Sequence, residues 1–174
     1  MIPGRIIYII GFMGCGKTTA GKKLAAALGW QYADLDKLIE EETGKKIPEI
    51  FEDSGETGFR ETETRVLRGL QPDSDMVVST GGGTPCFNQN MEFMLKTGLT
   101  IYLQLSPVVL KSRLENSSTV RPLIKDIKNE DLEAYIAVKL SEREEWYNRA
   151  DLIVDAFSCT GSCLADLVLK RLEG

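Results

Sequence analysis

Histidine is absent from the 174 residues, so imidazole is excluded as a general base and carboxylates are left as candidates. The four cysteines, Cys15, Cys86, Cys159 and Cys163, lack paired C-x-x-C spacing and have no histidine to complete a zinc site. They are expected as reduced thiols. No apolar run approaches the length of a membrane span. Met1-Ile2-Pro3-Gly4 leads straight into an apolar segment, which leaves no room for a signal peptide, and a cytoplasmic location is expected. The formal net charge of −5 disfavours a nucleic-acid partner, which calls for a basic face. It does not disfavour a small anionic substrate, because a local arginine cluster outweighs distant charge beyond a Debye length of about 8 Å. Repeats, low-complexity tracts and domain boundaries are also missing. One domain covering 1–174 is expected, a length that supports one well-buried core.

What is present begins with Gly11-Phe12-Met13-Gly14-Cys15-Gly16-Lys17-Thr18, which fits G-x-x-x-x-G-K-[ST]. The apolar run Arg5–Ile10 before it reads as a buried parallel strand. Thr18–Leu28 after it reads as a helix stopped by Gly29. Strand, glycine loop and helix in that order are the context the motif requires. Gly14, Cys15, Gly16, Lys17, Thr18 and Thr19 are therefore placed around the phosphates of a nucleoside triphosphate. Lys17 would reach the β- and γ-phosphates, and the Thr18 hydroxyl would hold Mg²⁺. For Cys15 the backbone N–H matters and the thiol is incidental.

Strand-like and helix-like segments alternate along the rest of the chain, which gives an α/β fold with a parallel sheet and helices on both faces. Strands are expected at 31–36, 76–80, 100–105 and 151–154. Helices are expected at 37–42, 47–52, 56–70, 88–96, 106–114, 130–149 and 160–172, with Ser106-Pro107 as a cap and first-turn proline. Residues 115–128 are polar and without period, and read as a mobile surface segment.

An acid ending a buried apolar strand commonly supports Mg²⁺ in hydrolytic proteins with this loop. The strands ending at Thr80 and Leu105 supply none, so Asp34 and Asp36 are the candidates. Alternation in the second strand would set both on one side, with Leu35 toward the core; the competing reading is a pair of helix-capping acids. Asp34 would support the metal and its waters, and Asp36 would orient or deprotonate an acceptor hydroxyl. No N-K-x-D guanine reader is present. Gly81-Gly82-Gly83 lies at a strand's carboxyl end, where α/β sheets bind ligands. Arg60, Arg121 and Arg143 read by default as surface arginines, but a transferred phosphate and an anionic acceptor need such bidentate donors.

Together these residues resemble the shikimate kinase family over essentially the whole chain. The resemblance rests on Gly11–Thr19, Asp34-Leu35-Asp36, the stretch Phe51–Glu63, Gly81–Gly83, Arg121–Ile124 and the R-E-E-W-Y ending at Tyr147. It implies a single-domain, three-layer α/β/α fold of the P-loop kinase type, with five parallel strands in the order 2-3-1-4-5. It also implies transfer of the γ-phosphate of ATP to the 3-hydroxyl of shikimate, with Mg²⁺, toward chorismate and the aromatic amino acids. By the same resemblance Asp36, Arg60, Gly81, Gly82, Gly83 and Arg143 would hold shikimate, with Arg60 and Arg143 on its carboxylate and Glu63 orienting Arg60. Asp36, Lys17 and Arg121 would be catalytic, and Thr18 and Asp34 would serve the metal. Arg113 would lie near adenine. Arg121 would sit on a mobile lid of about 115–128, opposite an acceptor region of about 34–63. The loop Asp155–Thr160 departs from the family in offering no evident side chain to adenine. A monomer without nucleic-acid or membrane partners is expected. A sugar-acid kinase, for instance for gluconate, and a silent regulatory module with the same fold stay open as alternatives.

Overall fold

All five side chains of β1, Ile6–Ile10, are buried, as an apolar strand covered on both faces requires. The computed structural model describes residues 5–71, 73–117, 124, 127–159 and 162–173. β1 is the centre of a five-stranded sheet with β2 (Gln31–Asp34), β3 (Met76–Ser79), β4 (Gly98–Gln104) and β5 (Leu152–Asp155). The order is β2-β3-β1-β4-β5 and every pairing is parallel. All strands therefore end at one edge, where open α/β sheets bind ligands.

Seven helices are described: α1 (Lys17–Leu28), α2 (Leu35–Thr43), α3 (Ile47–Arg68), α4 (Asn90–Thr97), α5 (Pro107–Glu115), α6 (Leu132–Tyr147) and α7 (Ser162–Glu173). They cover both faces of the sheet, with α1 against α7 and α5 against α6. The expected layers and strand order are found. Gly29 and Gly44 close α1 and α2 in the left-handed conformation, and Ser106 Oγ accepts from the Val109 N–H to open α5.

Three expectations are corrected. The second strand stops at Asp34, because the Asp34 carboxylate accepts from the Asp36 N–H at 3.1 Å and caps α2 there. Asp36 thus sits in the first turn of a helix, and alternation along a strand does not apply to it. The two helices expected at 47–52 and 56–70 run together as α3, bent at Gly55 with φ 67° and ψ −173°, a backbone region essentially confined to glycine. Finally, two of the cysteines are not free thiols: Cys159 and Cys163 form a disulfide, with Cα atoms 5.4 Å apart. Their four-residue separation falls outside C-x-x-C yet within bridging distance at the entry to α7. Cys15 and Cys86 are free. Among the described residues no helix is long and apolar enough to cross a membrane.

Candidate active site

The glycine loop after β1 winds through φ 147° at Gly11, 81° at Gly14 and 97° at Gly16. Side chains other than glycine rarely take such values, so the motif's glycines are a backbone requirement. The winding points the N-terminus of α1 at a cavity of about 330 Å³. Gly14, Gly16, Lys17, Thr18 and Thr19 line one wall, Asp34 and Asp36 a second, Gly81 and Gly82 a third, and Arg113 closes the rim. Backbone N–H groups at a helix start form an anion site. Cys15 is buried and contributes its carbonyl, which accepts from Arg113 Nη1 at 3.0 Å. Lys17 Nζ donates to the carbonyls of Gly11 and Phe12 at 2.8 and 3.0 Å, so its charge is held at the mouth of the loop.

Across the cavity Thr18 Oγ1 donates to Asp34 Oδ2 at 3.3 Å. Asp34 therefore both caps α2 and faces the phosphate loop. Burial, with Asp34 and Glu63 nearby, pushes the Asp36 carboxyl up to about 6, and Lys17 and Arg60 only partly oppose that. The side chain remains open to cavity water although protein surrounds it on most sides. The pKa reflects that crowded, negatively charged corner, and water screens part of its energetic consequence.

Arg60 corrects the surface reading: only 7% of it is exposed. Its guanidinium lies 4.2 Å over the Phe87 ring and 5.1 Å over Phe59, and Nη1 donates to Glu63 Oε2 at 2.8 Å. Glu63 is fully buried. A Cβ on Gly83 would collide with this guanidinium, so the triple-glycine loop closes directly over Arg60. Arg143, on α6, stands on the other side of that loop. Its guanidinium is 5.2 Å over the Phe12 ring, and its Nη1 would lie 3.4 Å from a Cβ on Gly82. Arg60 Nε and Arg143 Nη1 are both buried without a hydrogen-bond partner among the described residues. Buried donors without a partner are uncommon, and these two belong to arginines packed against the triple-glycine loop.

The sequence-predicted residues thus converge on one edge of the sheet. Arg121 lies outside the described residues, as do most of the positions after Ser117 that were expected to form a lid.

A family model for shikimate kinase matches residues 13–173. The chain belongs to the shikimate kinase family. Shikimate kinase of Parabacteroides distasonis is 43% identical over 150 residues, 86% of this chain and 87% of that one. The Bacteroides thetaiotaomicron shikimate kinase is 41% identical over 167 residues, 96% and 95% of the two chains. A crystal structure of the latter superposes with a TM-score of 0.88 at 36% identity, covering 98% of this chain and 99% of that one. Shikimate kinase from Acinetobacter baumannii, solved in complex with shikimate, superposes at 0.80 with 34% identity, covering 98% and 92%.

Some residues that shape this edge of the sheet were not singled out from the sequence. Tyr147 is fully buried and donates to the Gly82 carbonyl at 2.5 Å. It falls one helical turn after Arg143, a spacing that sets both on one face. Thr80 and Met13 also line the cavity. Nothing in their residue types announces that role.

Proposed function

We propose that the chain transfers the γ-phosphoryl group of ATP to the 3-hydroxyl of shikimate, giving shikimate 3-phosphate and ADP. The observation that carries the reading is the acid Asp36 facing a phosphate loop across one cavity, with nearby buried guanidinium nitrogens of Arg60 and Arg143 that have no partner among the described residues. A carboxylate on the acceptor satisfies both donors, and planar guanidinium forks suit it. That anchors the ring so that a hydroxyl reaches Asp36.

Gly14, Cys15, Gly16, Lys17, Thr18 and Thr19 cradle the triphosphate, with Arg113 toward the adenine side. Mg²⁺ would be held by the Thr18 hydroxyl, with Asp34 acting through the metal's water shell. Both are hard oxygen donors beside the phosphate site, which suits that ion, and it would neutralise charge on the phosphates. Asp36 accepts the proton of the 3-hydroxyl as its oxygen bonds to the γ-phosphorus and the bond to the ADP oxygen breaks. Lys17 offsets negative charge on the transferring group, and Arg121 would supply a second positive charge. Such transfers depend on positioning and charge rather than on covalent chemistry of the protein. Residues 1–174 act as one unit and as a monomer in the cytoplasm, with an acceptor region of about 34–63 and a lid of about 115–128.

A coupled ADP-release assay with ATP and Mg²⁺ tests the reading. Release should depend on shikimate and remain at background with gluconate or with no acceptor. Equal release with gluconate, or none with shikimate, contradicts it.

A further inference from the structure

The buried carboxylate that holds Arg60 is itself held from behind. Glu63 Oε2 receives Arg60 Nη1, while Glu63 Oε1 receives the Thr84 hydroxyl at 2.6 Å. Thr84 is fully buried in the short 3₁₀ turn Thr84–Cys86 that follows the triple-glycine loop. Its carbonyl accepts from Asn90 Nδ2 at 3.0 Å, and Asn90, also fully buried, opens α4. The line Arg60–Glu63–Thr84–Asn90 ties α3 to α4 through the loop between them.

Without that hydroxyl, one oxygen of a fully buried carboxylate would lose its donor, and a buried charge tolerates that poorly. Glu63 would then swing to recover a partner and take the Arg60 fork with it. Such a swing would be felt nearby: a Cβ on Gly81 would lie 3.0 Å from both Glu63 Oε1 and Thr84 Oγ1, and 3.4 Å from Asp36 Oδ1. Glu63, Thr84 and Asp36 are therefore packed around one Cβ-less position, and displacement of one is felt by the others.

We infer that Thr84 is a positioning residue of the acceptor pocket: its hydroxyl fixes Glu63 so that Arg60 presents its free donors to the acceptor's carboxylate. Thr84 touches neither ligand. It acts through Glu63 and Arg60, and Asn90 holds the backbone of its turn. The inference rests on the acceptor reading in the preceding subsection.

The test compares steady-state kinetics of wild type, Thr84→Val and Thr84→Ser with shikimate and ATP varied separately. Thr84→Val keeps the shape and removes the donor. Its KM for shikimate should rise about tenfold or more, as expected for losing a hydrogen bond to a charged group. The KM for ATP should stay unchanged and kcat should fall less than KM rises. Thr84→Ser should restore the wild-type KM. A purely structural role would instead lower kcat and both affinities together, follow the loss of thermal stability, and overturn the inference. An unchanged shikimate KM overturns it as well. Should Thr84→Val not fold, Thr84→Ala, which also removes the donor, decides the matter: a raised shikimate KM with an unchanged ATP KM supports the inference and a wild-type value removes it. A wild type inactive with shikimate removes the acceptor reading and this inference together. An active wild type with an insensitive variant removes this inference alone.

Discussion

At the scale of single residues, Asp36 carries the sharpest consequence. Its carboxyl titrates near 6, against a reference of 3.8, because of burial and the acids Asp34 and Glu63. A base that must be ionised to accept a proton then loses activity below that pH. The kcat/KM for shikimate should fall on the acid side with a midpoint close to 6, since this ratio reports the free enzyme. In Asp36→Asn kcat should drop by about 10²-fold or more, as for loss of a general base. A flat wild-type profile between pH 5 and 8 would count against Asp36 as the base. Stability moves the opposite way. The folded state holds this proton more tightly than the unfolded chain, so stability is lost as pH rises from about 4 through 6. Asp36→Asn should therefore denature at a higher temperature than wild type at pH 7.5, with the difference gone below about pH 4. Cavity water screens the charge, and the gain should stay at about 1 kcal/mol. A variant less stable than wild type at pH 7.5 would show that the acid is not strained there.

At the scale of elements, the site is the meeting of the phosphate loop with the triple-glycine loop, clamped by α6. A Cβ on Gly82 would lie 3.3 Å from the Met13 nitrogen and 3.4 Å from both the Gly11 carbonyl and Arg143 Nη1. Two of those neighbours are backbone of the phosphate loop, and they yield little. Gly82→Ala should raise KM for ATP and shikimate together, by about tenfold each if overpacking costs about 1–3 kcal/mol; an effect on only one substrate would mean the loops are not wedged apart. Another local element is the disulfide at the entry to α7. Cys159→Ser should lower stability by at most about 2 kcal/mol, as for a short loop. The gap should close when wild type is measured in reducing buffer, and a gap that persists there would assign the effect to packing. The phosphate loop was legible in sequence because its backbone conformations admit glycine alone, and the helix stops at Gly29 and Gly44 for the same reason. Asp36 was placed on the right wall for the wrong local reason. An apolar Leu35 between two acids imitates strand alternation, whereas the Asp34 cap converts the segment to helix. Arg60 reads by default as a surface position off the apolar stripe of α3, and Glu63 stands out only through the family resemblance. What buries them is the 81–90 segment folding over from β3, a long-range packing event that helical periodicity does not contain.

At the scale of the whole molecule, the parallel order β2-β3-β1-β4-β5 brings residues from 11 to 143 to one edge. The alternation of segments gave the layers, and the family resemblance gave the strand order. The net charge of −5 need not repel an anionic acceptor, because Arg60 and Arg143 pack against the triple-glycine loop that forms one cavity wall, and charge beyond a Debye length is screened. Phosphoryl transfer requires the acceptor to be held between those arginines and Asp36, facing the phosphate loop. A crystal structure of the protein with ADP, Mg²⁺ and shikimate tests this most directly. The 3-hydroxyl should lie within hydrogen-bond distance of Asp36, and the carboxylate on Arg60 and Arg143. Shikimate bound elsewhere, or seated with its carboxylate away from both arginines, would contradict it.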